Sequence, residues 1–228
     1  MMVPSRGKHA ILVVMDIGYI LTVLGVIFIS MTLHEVMHGF VAYKLGDETA
    51  RLLGRLTLNP LKHIDPFLTI GLPLLIIITN ALTGVSTPVF GGAKPVPFNP
   101  ARINHDEWGV ALMAISGPLV NLVLAFVSFA VVVFTGGGTL IGNIAETSVL
   151  VNLGFFVFNI LPIPPLDGSR VMYALAPEFV RTMMDTIERY GLIIVFALVM
   201  FTGQLLNLYM SKSIEWFLTV FSQIFGIA

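Results

Sequence analysis

The chain has 228 residues, of which 56% are hydrophobic and only 11% carry a charge. A soluble domain carries about a quarter charged residues, so this composition excludes a soluble globular protein and predicts one that uses lipid as its solvent. The formal net charge of −1 gives no support for a nucleic-acid partner, and the absence of cysteine excludes disulfides and thiolate chemistry. The length suits a single membrane-embedded domain, residues 1–228.

The first apolar run follows Arg6 and Lys8 and covers residues 11–33. At a rise of 1.5 Å per residue it spans roughly 35 Å, which is enough to cross the core of a bilayer. The charged start resembles a signal peptide, but the run has no obvious cleavage site. We therefore expect a retained transmembrane helix over about residues 10–45.

The sequence His34-Glu35-Val36-Met37-His38 lies on this first helix. Residues four apart share a helix face, so both imidazoles can reach one ion, and Glu35 lies about 100° around the helix, close enough to hold a water there. This is the H-E-x-x-H pattern, with two histidine ligands for zinc and one general base. The alternative is a polar helix–helix contact, which the cost of ionisable groups in a membrane disfavours.

The elements that follow alternate between polar connections and apolar runs. Residues 50–58 alternate loosely and could form a short strand pair. Residues 67–82 are apolar but short and contain glycine and proline, which favours a re-entrant or interfacial segment. The remaining segments are a Gly/Pro-rich loop at 84–100, a long apolar helix at 107–134, an apolar segment at 148–161, a polar connection at 169–189, a fifth span at 190–202 and a weaker apolar segment at 205–227.

These elements predict an all-α polytopic membrane protein. We expect about five to six transmembrane helices, one re-entrant or interfacial segment and a short membrane-associated β element. The core of the domain would cover about residues 10–173, and the C-terminal helices would cover about 174–228.

Two histidines leave a catalytic zinc ion short of a third protein ligand. His9, His63 and His105 lie in polar segments that flank the spans, so each is better explained as an interfacial histidine. Asp167 follows an apolar segment broken by prolines, and Gly168 lets the backbone approach closely. A carboxylate at that depth needs a cation. The alternative for Asp167 is a helix-terminating Leu-Asp-Gly turn.

The chain resembles the site-2 protease family of intramembrane zinc metalloproteases, and looks closest to the compact prokaryotic type without a PDZ or CBS domain. The resemblance covers roughly residues 29–173. It is carried by His34-Glu35-Val36-Met37-His38, by Ser116-Gly117-Pro118-Leu119-Val120-Asn121, by Asn159-Ile160-Leu161-Pro162 and by Leu166-Asp167-Gly168.

The resemblance implies one Zn²⁺ per chain, with Asp167 as its third ligand and Glu35 as the catalytic base. The substrates would be transmembrane segments of membrane proteins. It also implies that Asn121 and Asn159 lie near the substrate backbone or the oxyanion, the alternative being interhelical hydrogen bonds. The stretch Gly91-Gly92-Ala93 would be a strand-like element that pairs with an extended substrate, the alternative being a plain turn.

Shared ligands constrain the topology. Asp167 reaches the same side as His34 only if residues 67–82 do not cross the bilayer. One side then carries most of the basic residues, and the positive-inside rule puts the site near the cytoplasmic face and the N-terminus outside. Two alternative functions use the same residues: a membrane metal carrier or transporter, which needs no base, and a catalytically dead relative that only binds substrates.

Overall fold

The computed structural model describes residues 17–83, 93–136 and 138–227. Within these ranges the protein is all-helical and has no β-strand. A π-helical segment, Pro66–Gly71, and short 3₁₀ turns at Pro60–Lys62 and Pro100–Arg102 connect the larger elements. The α-helices of the described part are α1 (Ile17–Lys44), α2 (Thr49–Leu52), α3 (Leu72–Thr83), α4 (Asp106–Thr135), α5 (Leu140–Asn159), α6 (Gly168–Leu175), α7 (Glu178–Glu188) and α8 (Gly191–Ile224).

Among the described residues, three helices, α1, α4 and α5, are long and apolar enough to cross a membrane. A fourth span is counted only if the two parts of α8 are taken as one, because residues 193–199 and 201–224 are bent by 76° relative to each other. The prediction of five to six spans is therefore not confirmed. The two C-terminal segments expected from the sequence are the two arms of one bent helix, with non-helical backbone angles at Thr202.

Helix α3 follows directly from the π-helical segment and has 12 residues. A helix of that length rises about 18 Å, well short of the roughly 30 Å of a bilayer core. By itself α3 is therefore shorter than a bilayer core, and whether residues 67–82 are re-entrant or interfacial stays a prediction. Which side it enters from stays a prediction.

Helix α4 runs antiparallel to both α1 and α5. His34 of α1 contacts Asn121 of α4, whereas His38 contacts Met113, so the two helices run in opposite directions. The pairs Asn121–Asn152 and Ser128–Ser148 reverse the order again between α4 and α5. The C-terminal ends of α1 and α5 therefore point the same way, and the chain that leaves α5 arrives beside the histidines.

Helix α5 begins eight residues earlier than the apolar pattern indicated. Thr139 caps it by accepting a hydrogen bond of 2.9 Å from the backbone N–H of Gly142. Asn143 and Glu146 in the first turns are polar and exposed, so an apolar pattern does not indicate the start of this helix. The polar connection at 169–189 forms the two short helices α6 and α7.

The expected strand pair at residues 50–58 is wrong. Helix α2 begins there, and Asp47 accepts a hydrogen bond of 3.0 Å from the N–H of Thr49 at its start. The N–H of Arg55 bonds to the carbonyl of Ala50, and Gly54 has a left-handed φ of +63° that ends the turn. Local bonds therefore use the backbone groups that a strand pair would need.

The other expected strand-like element lies mostly outside the described residues. This applies to Gly91 and Gly92, whereas Ala93 is described and begins a stretch without regular secondary structure. Ala93 packs in a buried cluster with Val23, Ile27 and Met31 of α1. The described end of this loop is therefore anchored on the helix that carries the histidines.

Candidate zinc site

Three predicted ligands come together where α1, α4 and the segment after α5 meet. The Nε2 atoms of His34 and His38 are 3.0 Å apart. Oδ2 of Asp167 lies 3.1 Å from the first and 3.4 Å from the second. Both histidines are buried. One ligand atom from each of the three residues lies within 4.8 Å of the other two, so the group could hold a metal ion.

The outer ring nitrogens of both histidines face hydrogen-bond acceptors. Nδ1 of His38 is 2.9 Å from the carbonyl oxygen of Met113, and Nδ1 of His34 is 2.6 Å from Oδ1 of Asn121. A carbonyl oxygen can only accept, so each Nδ1 carries a hydrogen and donates it. Each Nε2 is then left with a lone pair that points into the site.

This arrangement fits a cation. Oδ2 of Asp167 is buried and accepts no hydrogen bond from the residues that the structure describes. It faces two Nε2 lone pairs, and three mutually facing acceptors repel one another unless a positive charge lies between them. In a tetrahedral site with metal–ligand distances of about 2.0–2.1 Å, ligand atoms are about 3.3 Å apart. The two nitrogens and one carboxylate oxygen match that spacing and the ligand types of a catalytic zinc site.

Gly117 of α4 packs against the two imidazoles, next to their Nε2 atoms. A Cβ atom at this position would lie 2.5 Å from both Cε1 and Nε2 of His38 and 2.7 Å from Nε2 of His34. Side-chain atoms cannot approach so closely, so only glycine allows α4 to pass the histidines at this distance. Pro118 follows within the helix and is fully buried.

Asp167 is positioned by the chain between α5 and α6. This chain includes a cis peptide bond between Pro164 and Pro165. Asp167 immediately precedes the first residue of α6, Gly168, whose missing side chain leaves room for the carbonyl of Ile160. The neighbouring Leu166 is buried in a cluster with Phe156 of α5 and Met210 of α8, which fixes the segment that presents the carboxylate.

Glu35 is buried beside the histidines, with 8% of its surface exposed. Its Oε2 accepts a hydrogen bond of 2.8 Å from the backbone N–H of Val96. The loop that supplies this donor is itself tied down, since the N–H of Lys94 donates to the carbonyl of His63 at 2.9 Å and Arg55 donates to the carbonyl of Lys94 at 2.9 Å. The carboxylate is thereby oriented by backbone from a different part of the chain.

Comparison with known proteins gives the site its family. The chain is 39% identical over 177 residues to "Putative zinc metalloprotease YwhC" of Bacillus subtilis, an alignment that covers 74% of this chain and 75% of the relative. It is 33% identical over 215 residues to "Putative zinc metalloprotease Rip2" of Mycolicibacterium smegmatis, covering 88% of this chain and 74% of the relative. The chain belongs to this family of zinc metalloproteases. No protein-family model and no solved structure matches it.

Family membership and the His34–His38–Asp167 group together confirm one zinc ion as the cofactor of this metalloprotease. The carrier alternative finds no support among these relatives. His63, set aside as a ligand, is buried away from the group and bonds through Nε2 to the carbonyl of Thr57 at 2.8 Å. His9 lies outside the described residues.

The two predicted asparagines have different surroundings in the metalloprotease. Asn121 is fully buried and contacts a zinc ligand directly, as described above. Asn159 is partly buried, and its Nδ2 donates to the carbonyl of Phe155 in its own helix at 3.0 Å. The structure thus brings Asn121 to the ligand group and shows no such contact for Asn159 among the described residues.

Sequence reasoning missed Asn152 and the backbone contacts of the site. Asn152 is completely buried on α5 and hydrogen bonds to Asn121 at 2.9 Å. A polar residue in the middle of an apolar span was the signal that could have found it. The carbonyl of Met113 and the N–H of Val96 carry no signal in the sequence, because every residue except proline has both groups.

Proposed function

We propose that this metalloprotease cleaves peptide bonds in transmembrane segments of membrane-protein substrates, at a site within the bilayer. The observation that carries the proposal is that Glu35, His34 and His38 lie on α1, a helix of bilayer length, and that the two histidines meet Asp167 there. A protease for soluble substrates has no need to bury these groups among apolar spans. This function corresponds to the site-2 protease type.

The chemistry divides among the residues of the site. His34, His38 and Asp167 would hold the zinc ion, which when bound supplies a Lewis acid that lowers the pKa of a water molecule and polarises the scissile carbonyl. Glu35 accepts the proton of the attacking water and then donates it to the nitrogen of the leaving amine. Its hydrogen bond from Val96 is made to Oε2, which leaves Oε1 available to take the proton.

Asn159 remains a candidate donor to the oxyanion, as its residue type allows. The substrate segment must unwind locally before it reacts. In a helix each peptide carbonyl is shielded by its own backbone hydrogen bond, and a helix of full diameter would keep the scissile bond away from Glu35.

The orientation in the membrane follows from the distribution of basic residues. If α3 returns to the side of the membrane from which it entered, most of the basic residues lie in loops on the same side as the zinc site. The other side then carries only Arg6 and Lys8 of this set. The positive-inside rule then puts the site toward the cytoplasm. The basic residues on the side of the zinc site are Lys44, Arg51, Arg55, Lys62, Lys94, Arg102, Arg170, Arg181 and Arg189.

The test uses the full chain in lipid nanodiscs with a single-span membrane protein as substrate. We expect cleavage inside the substrate's apolar segment, located by mass spectrometry, and its loss on zinc chelation. Glu35→Gln should lower the cleavage rate by about 10²–10⁴-fold, the usual contribution of a general base, and leave the bound zinc in place. Glu146→Gln, an exposed glutamate on α5, is the matched control.

Three results would contradict the proposal. Cleavage confined to loops of the substrate would place the activity outside the bilayer. Full activity of Glu35→Gln would show that Glu35 is not the general base. Zinc uptake into proteoliposomes without any cleavage would instead identify a metal carrier.

A further inference from the structure

A chain of buried amides leads from the zinc site into the contact between α4 and α5. Oδ1 of Asn121 faces His34 at 2.6 Å, and Nδ2 of Asn121 donates to Oδ1 of Asn152 at 2.9 Å. Nδ2 of Asn152 donates to the backbone carbonyl of Ser148 at 2.9 Å. Both asparagines are completely buried, so water does not compete for these bonds.

The direction of each bond in this chain is fixed by its far end. The carbonyl of Ser148 can only accept, so Asn152 turns its NH₂ group toward it, with Oγ of Ser148 also 3.2 Å away, and its Oδ1 toward Asn121. Asn121 must then offer its own NH₂ group to Asn152, which leaves Oδ1 for His34. The carbonyl of Ser30, 3.5 Å from Nδ2 of Asn121, favours the same orientation. An amide turned the other way would face acceptors with acceptors.

We infer that Asn152 is a positioning residue, which acts through Asn121 to hold His34 as the tautomer that binds zinc. With Oδ1 of Asn121 as its neighbour, Nδ1 of His34 must carry the hydrogen, and the lone pair is on Nε2. If Asn121 turned over, its NH₂ group would face Nδ1 and favour the tautomer with hydrogen on Nε2, which cannot bind a metal through Nε2. A backbone carbonyl on α5 thus selects the reactive form of a histidine on α1.

The inference rests on the zinc site and does not require cleavage within the bilayer. Its test therefore measures zinc binding, so that its failure and the failure of the proposed function can be told apart. The protein is the full chain in nanodiscs, stripped of metal and titrated with zinc against a competing chelator. Selective ¹⁵N labelling of histidine in the metal-free protein reports which ring nitrogen of His34 carries the hydrogen.

Two substitutions at one position separate a positioning role from a merely structural one. Asn152→Leu has a similar branched shape, with a larger volume, but offers no acceptor, so Asn121 loses the shorter of the two bonds that hold its orientation. Zinc affinity should fall by about 10–100-fold, the usual cost of losing an outer partner of a metal ligand, and the ¹⁵N spectrum should show both tautomers. Asn152→Asp still accepts from Asn121, so zinc affinity and the Nδ1–H tautomer should stay close to wild type.

A structural role predicts the reverse order, because a buried carboxyl group destabilises a protein more than a buried leucine does. Asn143→Asp, on an exposed position of the same helix, controls for the added acidic group. If the leucine variant does not fold, Asn152→Ala removes the same acceptor without adding volume to the core. Wild-type zinc affinity in both acceptor-free variants, or weaker zinc binding in the aspartate variant than in the leucine variant, would overturn the inference.

Discussion

The backbone N–H of Val96 donates a 2.8 Å hydrogen bond to Oε2 of Glu35. Val96 lies between Pro95 and Pro97, which have no N–H, so its own N–H is the one backbone donor in residues 95–97. The next donor toward the N-terminus, Lys94, is bonded to His63. Within residues 94–97, therefore, every backbone donor is used inside the protein, and an incoming substrate strand would find only carbonyls there.

Removal of the Val96 donor should weaken catalysis without removing zinc. Val96→Pro eliminates the N–H, and Glu35 loses the bond that orients it. We expect the cleavage rate of a transmembrane substrate to fall by about 100-fold, as for a displacement of about 1 Å in a catalytic group, with an unchanged zinc content. Val96→Ala keeps the N–H and should remain close to wild type. Equal rates for the two variants, at equal thermal stability, would show that the bond has no catalytic role.

A methyl group at position 117 should displace the histidines. In Gly117→Ala the Cβ would lie 2.5 Å from the ring of His38, so the ring or α4 must move. We expect zinc affinity, measured by chelator competition, to fall by about 10–100-fold. In Gly154→Ala of α5 the new Cβ meets nothing within 4 Å, so this control should keep its zinc affinity and gain about 0.5–1 kcal/mol of stability. Normal zinc affinity in Gly117→Ala would mean that α4 shifts freely.

Asp47 should make stability depend on pH. Burial raises the pKa of its carboxyl, but hydrogen bonds from the side chain of Thr49 and the N–H groups of Asn99 and Thr49 outweigh that and lower it below its ordinary value of 3.8. The stabilisation is therefore complete above pH 3.8 and is lost as the pH falls further, through the lower pKa of the folded state.

Asp47→Asn places an NH₂ group against one of these donors. It should cost about 1.5–3 kcal/mol at pH 7, the usual contribution of a hydrogen bond to a charged group. The difference from wild type should shrink at acid pH. Unfolding in detergent at several pH values measures both effects, with the exposed Asp185→Asn as control. A difference that stays constant down to acid pH would contradict the assignment to the ionised carboxylate.

The short length of α3 predicts the side on which its C-terminal end emerges. A reporter inserted after Leu82 should be cytoplasmic, on the same side as one inserted after Arg102. Paired activity-based reporters for the two sides of the membrane provide the measurement. An extracytoplasmic result at Leu82 would mean that residues 67–82 cross the bilayer, and either the topology or the ligand set would have to be abandoned.

The ligand set and the main spans were within reach of the sequence because they depend on local rules. The spacing of His34 and His38 follows from helix periodicity, and long apolar runs predict α1 and α4. Asp167 was found by a chemical argument, since a carboxylate at that depth needs a positive partner. Each of these arguments depends on the chemical type of a residue and its position in the sequence, and not on contacts between distant parts of the chain.

The remaining features depend on tertiary contacts. Loose alternation at residues 50–58 suggested strands, but the side chain of Asp47 and the left-handed Gly54 stabilise a helical turn instead. The early start of α5 depends on the cap at Thr139 and not on hydrophobicity. The contact between Glu35 and Val96 joins residues that only the folded chain brings together, through a backbone group that any residue would provide.

The separation of the three zinc ligands along the chain also affects biosynthesis. His34 and His38 are on α1, which leaves the ribosome before α4 and α5, whereas Asp167 follows only after those two helices. A nascent chain therefore holds two of the three ligands until α5 has been inserted. Competence to cleave would then be acquired only after α1, α4 and α5 have all been inserted.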